Sequence, residues 1–172
     1  MKKILLLSDT HGHLDASILN HVAEADEIWH AGDIGPIAIN DQLAGAGKLR
    51  AVYGNIDDHV VRAVWPEYLS FEVAGLKVLM LHIAGYPGHY NARAKALIRQ
   101  YNPGLVICGH SHILKVMRDP YFHHLHMNPG AAGIHGFHAI RTMIRFRISD
   151  GKIIEPEVIE LGKRGKLPET IG

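Results

Sequence analysis

Within the first 53 residues, three short apolar runs alternate with two stretches of helical periodicity, and this rhythm limits the chain to very few folds. Lys3–Ser8 carries Ile4-Leu5-Leu6-Leu7 and reads as a buried strand. Leu14, Ile18, Leu19 and Val22 then fall on one face of a helix that Asp15 can cap. Glu27–His30 is the second strand. Pro36 suits the first turn of a second helix ending near Gly45 or Gly47, and Lys48–Tyr53 returns as the third strand. Strand, helix, strand, helix, strand implies parallel pairing through right-handed crossovers, an α/β arrangement.

Beyond Pro66 the rhythm changes. Ser70–Ala74 and Leu76–His82 are joined at Gly75 like a hairpin. One more helix follows, capped by Asn91, with Ala94, Leu97, Ile98 and Tyr101 inward and Asn102-Pro103-Gly104 as its stop. Leu105–Cys108, Ile113–Arg118, Tyr121–Met127, His138–Ile148 and Lys152–Ile159 are expected as strands, with turns at Asp119-Pro120 and Asp150-Gly151. A single domain over residues 1–172 is expected, with 162–172 as a loosely held tail. Val60, Val61, Val64 and Trp65 either pack inward or form an oligomer patch.

Composition narrows the function. With 18 Lys+Arg against 17 Asp+Glu the net charge is +1, so bulk electrostatics supplies no polyanion or nucleic-acid partner. A lone Cys108 excludes a disulfide scaffold, and a chain of this length buries roughly 70% of its unfolded surface without staples. The apolar run from Ile4 stops at Ser8-Asp9, short of the roughly 7–15 residues of a secretory segment and the roughly 20 of a membrane helix, so no membrane association and a cytoplasmic location are expected.

Histidine is the outlier, at 14 residues. More telling than the number is where the polar side chains fall. Asp9 and His11 follow the first strand, Asp33 the second and Asn55 the third; His82 ends the 76–82 run, and His110 and His112 follow the 105–108 run. The carboxyl ends of parallel strands share one sheet edge, so these residues can converge there. All offer oxygen or nitrogen, which makes a metal site the reading that uses all of them. A carboxylate such as Asp33 can bridge two ions about 3.5–4 Å apart, and Asn55 adds a neutral carbonyl oxygen.

Asp9-Thr10-His11-Gly12, Gly32-Asp33, Gly54-Asn55-Ile56-Asp57, His82 and Gly109-His110-Ser111-His112 resemble, in order, the five motifs of the calcineurin-like metallophosphoesterases. The resemblance runs from about residue 3 to 150, includes Asn128-Pro129-Gly130, and points to the small bacterial and archaeal phosphodiesterase branch that shares its fold with a retromer subunit. It implies a four-layer α/β/β/α sandwich of two mixed sheets flanked by helices. It also implies two divalent ions, one held by Asp9, His11, Asp33 and His112 and the other by Asp33, Asn55, His82 and His110. Manganese comes first for such a mixed set, with iron, zinc, nickel and cobalt as alternatives. The implied activity is hydrolysis of a small phosphodiester, nucleotides included, by water activated between the ions. A monoesterase and a protein-binding scaffold of the same fold are the alternatives.

Two departures bear on substrate. Ile56 stands where many family phosphatases carry a leaving-group histidine, which favours diesters and leaves His13 or His59 as substitute acids. Ile83-Ala84 separates His82 from Gly85, where the family has glycine directly after this histidine. Elsewhere, His30 either orients Asp33 or is an ordinary half-buried histidine, and Asp57 either belongs to the centre or caps a turn. His89, His123, His124 and His126 read as surface residues, Trp29 and Trp65 as core or interface anchors, and Cys108 as an inert buried residue.

Overall fold

The computed structural model describes residues 1–45 and 47–165. The elements are β1 (Lys2–Leu7), α1 (Ala16–Ala23), β2 (Glu27–His30), α2 (Ile37–Ala44), β3 (Lys48–Ala51), α3 (His59–Val64), β4 (Tyr68–Val73), β5 (Leu76–Leu81), α4 (Ala92–Tyr101), β6 (Leu105–Ile107), β7 (Leu114–Arg118), β8 (Leu125–Pro129), β9 (Ile140–Ser149) and β10 (Lys152–Lys163). They form two five-stranded mixed sheets, ordered β10-β9-β1-β2-β3 and β4-β5-β6-β8-β7.

The alternation along β1 shows why the layers stack. Ile4 and Leu6 point between the sheets, where they meet Trp29, Met80, Ile107, Met127 and Phe146. Leu5 and Leu7 point outward and are covered by Ile18 and Val22 of α1 and Leu43 of α2. On the far side Leu97 and Ile98 of α4 cover Leu79 and Val106. The result is the expected four-layer α/β/β/α sandwich, and β1 is continuously apolar from Ile4 to Leu7 because both faces are buried there. Parallel pairing of β1 with β2, β2 with β3 and β5 with β6 brings their carboxyl ends to one edge of each sheet.

Caps follow the local chemistry. Asp15 accepts from Ile18 N and Asn91 from Ala94 N, while Asn102 ends α4 in the left-handed conformation. Pro36 is the N-cap of α2 rather than its first turn. Val61 of α3 packs inward, whereas Val60 and Val64 are exposed.

Three expectations are corrected. The strand expected over Tyr121–Met127 begins only at Leu125, because the Asp119 carboxylate accepts from Tyr121 N at 2.7 Å and Phe122 N at 2.6 Å and folds the intervening residues into a turn. His124 and His126, read as surface residues, are buried, and both bond the Tyr90 hydroxyl, at 2.9 and 2.7 Å. Gly162 and Lys163, expected in a loose tail, pair with Arg141 and Ile140 in β10; residues 166–172 of that tail lie outside the described residues. Among the described residues no helix is long and apolar enough to cross a membrane.

Candidate metal centre

The seven residues singled out in the sequence meet at the shared strand ends. Five of them, Asp9, His11, Asp33, His110 and His112, hold left-handed backbone angles with φ between 45° and 69°. Such angles cost roughly 1–3 kcal/mol each in a non-glycine residue and persist only where the surroundings enforce them. Here cross-loop hydrogen bonds do so: Asp9 N donates to Gly32 O at 2.9 Å and His11 N to Asp33 O at 3.0 Å.

Each aspartate uses one oxygen as an anchor and aims the other at imidazoles. Asp9 Oδ2 accepts from Ser8 Oγ at 2.6 Å and His110 N at 3.1 Å, while its Oδ1 faces His112 Nε2 at 3.1 Å and His11 Nε2 at 3.8 Å. Asp33 Oδ1 accepts from Ile56 N at 3.0 Å, while its Oδ2 faces His82 Nε2 at 3.2 Å and His11 Nε2 at 3.4 Å. Asn55 Oδ1 lies 2.9 Å from His110 Nδ1. The donor atoms of Asp9, His11 and His112 all lie within 4.8 Å of one another, as do those of Asp33, His82 and His110.

Burial raises the cost of charging both aspartates, but the imidazoles prevail. Against that desolvation, contacts from His11, His112, His82 and Ser8 hold the Asp9 carboxyl far below the usual range. Asp33 is likewise lowered, with burial opposing and His82 the main stabilising partner. Reciprocally, the Asp9 contact raises His11 against its own desolvation, and Asp33 raises His82 although burial opposes it.

The chemistry of the donors fits a cation. Asp9 Oδ1, His11 Nε2 and His82 Nε2 are buried without a hydrogen-bond partner, which is costly unless something positive fills the space they face. Glycines let the loops close around it: a Cβ on Gly54 would strike Asp33, and one on Gly109 would strike Ser8 and Asp9.

The surrounding shell differs in places from expectation. His30 makes no hydrogen bond to Asp33. Its Nδ1 accepts from Gly32 N at 3.1 Å, its Nε2 meets Thr10 Oγ1 at 2.9 Å, and Thr10 Oγ1 donates to Ile34 O, so it braces the two aspartate loops as a neutral ring. Burial lowers its pKa to about 4. Asp57 is buried and accepts from Gly35 N at 2.9 Å and Gly54 N at 2.8 Å, tying two motifs together. His13 turns to Asp15, 3.0 Å away, which Arg141 also holds. His59 is exposed at the start of α3.

Sequence reasoning missed His135 and His138. The His135 ring centroid lies 5.0 Å from that of His11, and the His138 centroid 5.1 Å from that of His112. The glycines at 133 and 136 flanking His135 were the available signal, because a Cβ on Gly136 would strike His112. A cleft of about 450 Å³ lies between α1 and the β9–β10 hairpin and shares none of these residues.

Comparison with known proteins agrees with this geometry. The model of the calcineurin-like phosphoesterase superfamily domain matches residues 1–151. A curated relative described as a probable metallophosphoesterase, from Methanothermobacter thermautotrophicus, is 25% identical over 164 residues, 91% of each chain. Among solved structures, an archaeal phosphodiesterase superposes with a TM-score of 0.73 at 22% identity, over 92% of this chain and 99% of that one. Vps29 of Entamoeba histolytica, complexed with zinc, does so with a TM-score of 0.68 at 17% identity, over 92% and 98%. Since the family model covers β1 through β9 and every strand end that carries an expected donor, the chain belongs to the calcineurin-like phosphoesterase superfamily, a family of metallophosphoesterases.

Proposed function

We propose that this protein hydrolyses small phosphodiesters with two divalent ions held by Asp9, His11, Asp33, Asn55, His82, His110 and His112, manganese being the first choice. The observation that carries the reading is the position of Asp33 Oδ2, 3.4 Å from His11 Nε2 and 3.2 Å from His82 Nε2, between the two donor groups. A carboxylate oxygen shared in this way suits a bridging ligand. The archaeal phosphodiesterase and the zinc complex of Vps29 support the diester and metal parts of the reading respectively.

Divalent ions bound there supply Lewis acidity towards phosphoryl oxygens and lower the pKa of water. The chain's own residues do the rest. Asp9 and Asp33 stay ionised, the anchored oxygen of each fixes the direction of the other, and the braced loops hold the imidazoles without rearrangement. Ile56 offers its backbone N–H to Asp33 and an apolar side chain to solvent, so it can give no proton to a leaving alkoxide. That favours diesters with good leaving groups over alkyl monoesters.

The test is to strip the protein with chelator and restore Mn, Ni, Zn, Fe(II) or Mg separately. Hydrolysis of bis(p-nitrophenyl) phosphate and p-nitrophenyl phosphate is then compared, with Asp33→Ala as control. Transition-metal-dependent activity that prefers the diester and vanishes in the control is expected. Preference for the monoester makes the protein a phosphatase on the same site, and inactivity despite two bound equivalents makes it a binding scaffold.

A further inference from the structure

A cleft of about 270 Å³ opens beside Asn55 and His82, so whatever fills it lies next to the second donor group. One wall is Tyr53, with the Arg62 guanidinium 4.5 Å above its ring. Arg62 is not a loose surface cation. Its Nε donates to Asp57 O at 2.7 Å and its Nη2 to Asn55 O at 3.3 Å, which fixes the plane and leaves its other N–H groups unspent among the described residues. The Asp57 that sets this plane also holds Gly35 and Gly54. Ile83 contributes an exposed apolar side chain to the cleft. Glu67 lines it too; its carboxylate is neutralised by Arg93 through two bonds of 3.2 Å but retains lone pairs for a further donor.

A flat cation stacked on an aromatic ring, an apolar wall and a neutralised acceptor together suit a planar heteroaromatic ring with polar edges. We infer that this cleft is a nucleoside subsite, in which the base stacks on Arg62 and an amino or hydroxyl group reaches Glu67, so the substrate class is nucleotide diesters. The inference rests on the phosphodiesterase reading, since the phosphate must sit at the donor cluster for its nucleoside to reach the cleft. A second phosphate is the rival occupant for Arg62, but the apolar wall of Ile83 and the acid Glu67 both disfavour it.

Calorimetric binding to the manganese-loaded protein decides the matter, with adenosine 5′-monophosphate, methyl phosphate and pyrophosphate as probes. Adenosine monophosphate is expected to bind at least about tenfold tighter than methyl phosphate, in line with the worth of one stacked base. Arg62→Ala is expected to cut that ratio to under about threefold, with Arg62→Lys and Tyr53→Leu each giving a partial loss. A merely structural role for Arg62 weakens both ligands by one factor and leaves the ratio intact, and that result overturns the inference. So does equal binding of adenosine monophosphate and methyl phosphate, or pyrophosphate matching the nucleotide. Failure of the parent reading is separately visible as absence of diester hydrolysis, because these ratios are read from binding alone.

Discussion

His82 places its Nδ1 2.7 Å from the carbonyl oxygen of Ala31. A carbonyl only accepts, so Nδ1 carries a proton, and in the neutral form of the ring, the one able to bind a metal, the lone pair is on Nε2, the atom that faces Asp33. One backbone atom of β2's end thereby selects the tautomer of a side chain from the other sheet. His82→Ala is expected to reduce bound manganese from two equivalents to one and to lower diester turnover at least about 100-fold, read by metal analysis of the desalted protein and by a rate assay.

Gly54 tests the closeness of the loops. Its φ lies outside the left-handed region, so an added methyl is excluded purely by collision with Asp33. Gly54→Ala is expected to cost about 1–3 kcal/mol in urea unfolding and to abolish most turnover, because the atom displaced is the proposed bridging carboxylate.

The Asp57 carboxylate makes no hydrogen bond to the side chain of a proposed ligand, yet it accepts one part-buried and one buried backbone N–H from different motifs. Asp57→Ala leaves both without a partner, and a loss of about 2–3 kcal/mol in unfolding free energy is expected. Asp57→Asn is expected to recover part of it, since one acceptor oxygen remains.

His126 should make the metal-free protein acid-sensitive. Burial lowers its pKa from 6.5 to about 4, so the unfolded chain binds the proton more readily. Its contribution is complete above pH 6.5, falls as pH drops from 6.5 to 4, and amounts to about 3 kcal/mol over that window. His11 and His82 act in the opposite direction because their pKa values are raised, but they are common to wild type and variant. The difference in unfolding free energy between wild type and His126→Phe, followed from pH 7 to pH 4, is therefore expected to shrink with acidification.

Ile56→His restores an imidazole beside Asp33 at the position the sequence leaves apolar. An increase of about 10- to 100-fold in turnover of an alkyl monoester relative to bis(p-nitrophenyl) phosphate is expected, within the range of general acid catalysis. An unchanged ratio means that proton donation does not limit the monoester reaction.

Much of this protein was legible along the chain because its signals are local. Apolar runs, Asp15, Asn91 and the Asn102-Pro103-Gly104 stop report what each segment needs within a few residues. The expected donors stood out because each follows a strand, and parallel strands send their carboxyl ends to one side. What the chain could not display is which surfaces meet. His124 and His126 looked like surface residues because polar side chains in a hairpin usually are. Only the order β6-β8-β7 puts β8 inside the sheet, and only α4's neighbour Tyr90 gives both imidazoles a partner. What Asp57, His30 and His135 face likewise shows only once the backbone N–H groups and rings of distant segments are in place. Periodicity states that a face must be buried, whereas the partner that buries it is settled by the packing of the whole chain, where every buried polar atom competes for the few groups within reach.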